Sequence, residues 1–97
     1  MFHLADLVVF ALIADVQSIS GAARSLKMPK SSVSRALARL EAEVGRVLIE
    51  RSTRCLRLTE TGEMFYAHAC RILDEVAAAE EAIGKLPFSP HELPQQS

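Results

Sequence analysis

A chain of 97 residues, 49% apolar and 24% charged, is globular in composition and holds one modest core, not two. Its net charge of −1 hides a segregation: from Ser20 to Arg57 nine basic residues face three acidic ones, and the rest of the chain carries two basic and nine acidic. A basic centre between acidic ends is the asymmetry of a nucleic-acid face attached to something else, and the longest apolar run, Leu7 to Ala14, is too short to span a bilayer and lacks the basic flank of a signal peptide.

Leu4, Leu7, Val8, Ala11, Leu12 and Val16 recur at three- and four-residue intervals and predict a first helix buried along that side, with Asp6 in its first turn, where an anion is favoured. Ser18-Ile19-Ser20-Gly21 breaks it, and Ser18 or Ser20 can cap the next helix. That helix is short, with Ile19, Ala22, Ala23 and Leu26 inward. Pro29 then stops it, because proline disfavours helical geometry in Met28 and has no N–H to donate.

The stretch from Lys30 to Val44 predicts a third helix. At 100° per residue, Val33, Leu37, Leu40 and Val44 fall within about 60° of one another as an apolar stripe. The opposite face carries Ser31, Arg35, Ala38, Arg39, Ala42 and Arg46, cations and hydroxyls separated by alanines small enough to admit a close partner. A short helix, a three-residue turn and an amphipathic helix with a basic outer face predict a helix-turn-helix, whose second helix enters the DNA major groove. Ala23 and Val33, ten apart, supply the small and β-branched residues such a unit needs at its crossing.

Gly45 ends the third helix. Val47 to Arg51 and Cys55 to Thr59 then predict two short strands joined by Ser52-Thr53-Arg54, a hairpin wing whose Arg51, Arg54 and Arg57 would lie on the sugar-phosphate backbone. Thr59 caps a last helix with Glu60 and Glu63 in its first turn. Along it Phe65, Ala69, Ile72, Val76, Ala79, Ile83 and Leu86 form a heptad row, and Tyr66, Cys70, Leu73 and Ala77 lie beside it. Two apolar rows need two neighbours: we expect one row on the body of the domain and the other, Phe65, Ala69, Ile72, Val76, Ala79 and Ile83, against a second copy. From Pro87 onward three prolines within eight residues predict an extended or disordered tail. Cys55 and Cys70, fifteen apart, and His68, turned away from Cys70 on a helix, make no metal pattern. The chain is expected to be a cytoplasmic protein with reduced thiols, no metal and no cofactor, and no enzyme motif is visible.

Together, Ala22-Ala23-x-x-Leu26, Ser34-Arg35, Leu40-Glu41, Gly45, Leu48-Ile49-Glu50-Arg51 and Leu58-Thr59-x-x-Gly62 resemble the DNA-binding domain of LysR-type transcriptional regulators over about residues 3 to 83. The resemblance implies a mainly α fold: a bacterial winged helix-turn-helix over 1–59, a dimerising linker helix over 60–86 and the tail over 87–97. It implies base reading by Lys30, Ser31, Ser34 and Arg35 on the third helix and backbone contact at Arg51 and Arg54. Ser20, Lys27, Arg39 and Arg57 complete the expected phosphate contacts. The chain departs from the family's pattern at two places in this stretch. The family commonly has Ser-Gln-Pro-Ala where this chain has Pro29-Lys30-Ser31-Ser32, and Gln where it has Ala36, so a base preference does not carry over; Ile49 stands where Phe is usual. Full members continue into an effector-binding part of two α/β subdomains, so the chain is expected to be an excised piece or a short relative, with a small-molecule effector acting only through that part. The expected target is double-stranded DNA carrying an imperfect inverted repeat, bound by a homodimer joined through residues 60–86. The rival expectation is a helical module that dimerises and binds an acidic protein.

Overall fold

The computed structural model describes residues 1–52 and 55–86. Four helices and one hairpin follow in the order α1 (Leu4–Val16), α2 (Ile19–Leu26), α3 (Lys30–Val44), β1 (Ile49–Arg51), β2 (Leu56–Leu58) and α4 (Glu60–Gly84). The tail after Leu86 and the turn residues Thr53 and Arg54 lie outside the described residues.

Local chemistry sets the boundaries. Of the two serines able to cap α2 it is Ser18 that does so, accepting from the Gly21 N–H at 2.9 Å. Gly45 ends α3 in the left-handed region at φ 77°, where a side chain is disfavoured. The Thr59 hydroxyl accepts from the Gly62 N–H at 2.9 Å and donates to the Val47 carbonyl at 2.7 Å, so one side chain both caps α4 and ties it to the chain entering the wing. In the wing, Ile49 pairs with Leu58, Glu50 with Arg57 and Arg51 with Leu56, antiparallel. Its strands are three residues each, shorter than the pattern predicted.

The core gathers around α1, which packs against α2, α3 and α4. Phe10, Leu7, Ile13, Leu37, Leu40, Leu48 and Val33 are its largest fully buried side chains. Ala22 and Ala23 let α2 approach closely, and Val33 lies fully buried in the same cluster. One expectation for α1 is corrected here: Leu4, Val8 and Val16 are exposed, and Val9, Phe10 and Ile13 are buried instead. A helix with three neighbours has no single inward stripe, so its row of threes and fours does not mark the buried side.

The first turns of α4 belong to this core. Phe65 meets Phe2 edge-on with ring centres 5.4 Å apart and Phe10 at 5.6 Å, Tyr66 meets Phe10 at 6.4 Å, and Ala69 is fully buried. Each aromatic pair contributes about 0.5–1.5 kcal/mol beyond its buried area. The heptad row is therefore divided. Phe65 and Ala69, expected against a second copy, face the body of the same chain, whereas Ile72, Ile83 and Leu86 are exposed. The physical reason is length: a helix of 25 residues outruns a body only three helices wide, so its start is covered and its far end is not. No described helix is long and apolar enough to cross a membrane.

Candidate nucleic-acid interface

The surface that matters begins at Pro29. Proline caps α3 without a side-chain hydrogen bond, its carbonyl accepting from the Ser32 and Val33 N–H groups at 3.0 and 3.2 Å. The next turn presents Lys30, Ser31 and Arg35 exposed and Ser34 half-buried, while Val33, Ala36 and Leu37 hold the other side in the core. Every side chain proposed from sequence to read bases thus lies on the outer half of α3, and among the described residues Arg35 makes only a long contact, 3.4 Å, to the Ser32 hydroxyl.

Beside this turn opens a cleft of about 440 Å³ lined by Ser18, Ser20, Lys30, Arg51 and Ser52, among others. It brings together the start of α2, the start of α3 and the tip of the wing. Three hydroxyls and two cations from three separate elements border one shallow, open surface, an arrangement suited to a sugar-phosphate strand.

Arg51 and Arg57 stand on opposite faces of the wing. Alternation along β1 and β2 puts Glu50 and Arg57 on one face of the hairpin and Arg51 and Leu56 on the other. Arg57 lies 3.9 Å from Glu50, both well exposed, and shares a groove with Glu60 and Glu63. Arg51 instead borders the cleft with Lys30. Arg54 lies outside the described residues.

Two acidic side chains make contacts the sequence did not reveal. Asp6, expected only as an anion favoured in the first turn of α1, is buried and paired with Arg39: Arg39 Nε donates to Oδ2 at 3.0 Å and Nη2 to Oδ1 at 2.8 Å. That hydrogen-bonded carboxylate raises the Arg39 pKa above its ordinary value, and Arg39 is not the free cation expected for a phosphate. Its signal in the sequence was a charge flanked by apolar residues near the start of α1. Glu41 Oε2 accepts from the Leu48 N–H at 2.8 Å and the Ile49 N–H at 3.2 Å, so the end of α3 holds the start of the wing. Its residue pair, Leu40-Glu41, was visible only as a motif without a role.

A bend between two short helices, an outward basic helix face and a two-stranded wing tied to it define a winged helix-turn-helix, a DNA-binding class of domain. Residues 4–63 match the bacterial regulatory helix-turn-helix proteins of the lysR family. The chain belongs to that family; the match spans its helix-turn-helix and wing and reaches the first turn of α4. Among its relatives, the HTH-type transcriptional regulator CrgA of Neisseria meningitidis serogroup C is 43% identical over 90 residues, covering 93% of this chain and 29% of that protein. A hydrogen-peroxide-bound OxyR mutant of Corynebacterium glutamicum superposes with a TM-score of 0.84 at 34% identity, covering 92% of this chain and 29% of that one. The DNA complex of the CbnR DNA-binding domain superposes with a TM-score of 0.79 at 31% identity, covering 84% of this chain and 93% of that one. The chain spans 25 to 29% of the length of the regulators it matches.

Proposed function

We propose that this chain binds double-stranded DNA sequence-specifically, with α3 in the major groove and the wing along the flanking backbone, and so serves transcription regulation without catalysing a reaction. The observation that carries the reading is that Ser20, Lys30 and Arg51, from three separate elements, border one surface at the start of α3, the helix on which Arg35 is exposed. Phosphate contacts at the cleft fix the register of α3, and the side chains on its outer face then meet base edges. Arg35 is the first choice for a two-pronged contact to guanine, with Lys30, Ser31 and Ser34 beside it. Ser20, Lys27, Arg51, Arg54 and Arg57 serve phosphates. Arg57 does so less than Arg51, because Glu50 faces it. The CbnR domain–DNA complex, so similar in fold, supports duplex DNA as the ligand.

The exposed far end of α4, with Ile72, Val76, Ala79 and Ile83, serves a second copy, and a twofold pair presents two recognition helices to an imperfect inverted repeat. On this reading residues 1–59 with the first turns of α4 form the DNA-binding unit and the remainder of 60–86 the dimer linker. The protein works in the bacterial cytoplasm, at the nucleoid when bound, and any small-molecule effector acts through parts found in the longer relatives. Gel-shift titration of duplexes enriched from a random library tests this. Retention that falls steeply with salt and prefers the enriched duplex is expected; no salt-dependent retention of any duplex overturns it in favour of a partner protein.

A further inference from the structure

Asp6 is the only charged or polar residue buried among the described residues, and its neighbours on α1 are apolar. One guanidinium occupies both of its oxygens, Arg39 Nε on Oδ2 and Arg39 Nη2 on Oδ1. A two-pronged grip of this kind fixes the direction of an arginine as well as its charge. Glu43, one turn further along α3, adds its field to the hold on Arg39. Arg39 stands one helical turn beyond Arg35, and the two line the same groove between α1 and α3. The Arg39 side chain is still 54% exposed, against 3% for Asp6, so the pair sits at the edge of the DNA-facing side with the carboxylate underneath. Released from Asp6, a guanidinium on so long a stem would reach the phosphates that border the groove entered by α3.

We infer that Asp6 is a positioning residue that holds down sequence-blind affinity: by gripping Arg39 from beneath, it keeps that cation off the duplex backbone and leaves Arg35 as the last free cation of the recognition surface on α3. The inference rests on the DNA-binding reading above. A phosphate contact strengthens binding to every sequence alike, so one cation withheld lowers the share of protein held by the bulk of a genome.

The test is a salt titration of a random-sequence duplex, read by fluorescence anisotropy, with the full chain as wild type, D6N, R39Q and D6N/R39Q, each checked for folding by its melting curve. D6N keeps the shape of the side chain and removes the charge that holds Arg39. The slope of log affinity on log salt is expected to steepen by about 0.9 in D6N, the release expected for one added phosphate contact, with random duplex bound several-fold more tightly at about 0.1 M salt. It is expected to match wild type in R39Q and in D6N/R39Q. An unchanged slope in folded D6N overturns the inference, and so does a shallower slope in R39Q or D6N/R39Q, which would show Arg39 already on the DNA. Should D6N fail to fold, Asp6→Ser, which also removes the charge and keeps Arg39, is read by the same criterion. Wild-type chain that shows no salt-dependent binding at all overturns the proposed function instead.

Discussion

A β-carbon placed on Gly62 would stand 2.0 Å from the carbonyl oxygen of Leu48. That oxygen already accepts from the Thr59 N–H at 2.9 Å, so neither the strand nor the helix start can retreat without breaking the join between wing and α4. Gly62→Ala is therefore expected to cost about 3 kcal/mol, at the upper end of overpacking costs. Gly84→Ala, where nothing lies within 4 Å, is expected to change stability by less than about 0.5 kcal/mol. Urea unfolding of the two variants side by side checks the contrast.

Glu41→Gln tests the tie between α3 and the wing. Replacing a carboxylate that accepts two backbone N–H groups is expected to cost about 1–3 kcal/mol. Amide exchange is expected to accelerate at Leu48 and Ile49 and to stay unchanged at Val33 and Leu37 in the buried half of α3. Uniform acceleration throughout the chain would contradict a local role.

Tyr66 donates its hydroxyl hydrogen to Asp15, and this bond, with Cys70 nearby, raises the phenol pKa above its ordinary value of 10.0. The folded state then keeps the phenol proton at a pH where the unfolded chain loses it. The stability from this source is complete below pH 10 and declines as pH rises above it. Tyr66 is the chain's one tyrosine, so its absorbance titration reports the shift directly. Tyr66→Phe is expected to melt lower at neutral pH and to lack this component of the alkaline decline.

Arg35 and Arg51 are expected to fail differently. Arg35→Ala should flatten the preference at one base per half-site by roughly 1–3 kcal/mol. Arg51→Ala should weaken binding to all duplexes alike and reduce the salt slope by about one contact. Equal losses on enriched and random duplex for both variants would sink this division.

Ala69 and Ile83 belong to one heptad row and are expected to report different things. Ala69 is fully buried and Ile83 is 67% exposed. Ala69→Leu should cost about 1–3 kcal/mol of folding stability through overpacking. Ile83→Ser should leave stability within about 0.5 kcal/mol and weaken self-association in sedimentation equilibrium.

Where a feature is written in a few neighbouring residues, it is legible in the sequence alone. Gly45 and Thr59 mark helix ends by their own chemistry, the serine pair Ser18 and Ser20 marks the start of α2 without saying which one caps it, and Ala23 with Val33 marks the helix-turn-helix by spacing. Where a feature depends on which surfaces meet, it is not. The 4-3 spacing from Phe65 to Leu86 is the same whether a neighbour is the chain's own body or a second molecule, so it did not show that Phe65 and Ala69 are taken by α1. Asp6 and Arg39 are 33 residues apart, and nothing local joins them. The three wing arginines look alike in sequence, yet strand alternation sends Arg51 to the cleft and Arg57 to the acidic side.

The far turns of α4 meet no other described element that could hold them, and Ile83 and Leu86 stand bare. An isolated helical stretch of that length is marginal in water. In the twofold pair proposed above, the second copy that covers it also stiffens it, so the rod's rigidity would be a shared property of two molecules and a function of how crowded they are. On that proposal dilution would do more than separate a pair: it would soften the lever that spaces two DNA-reading heads.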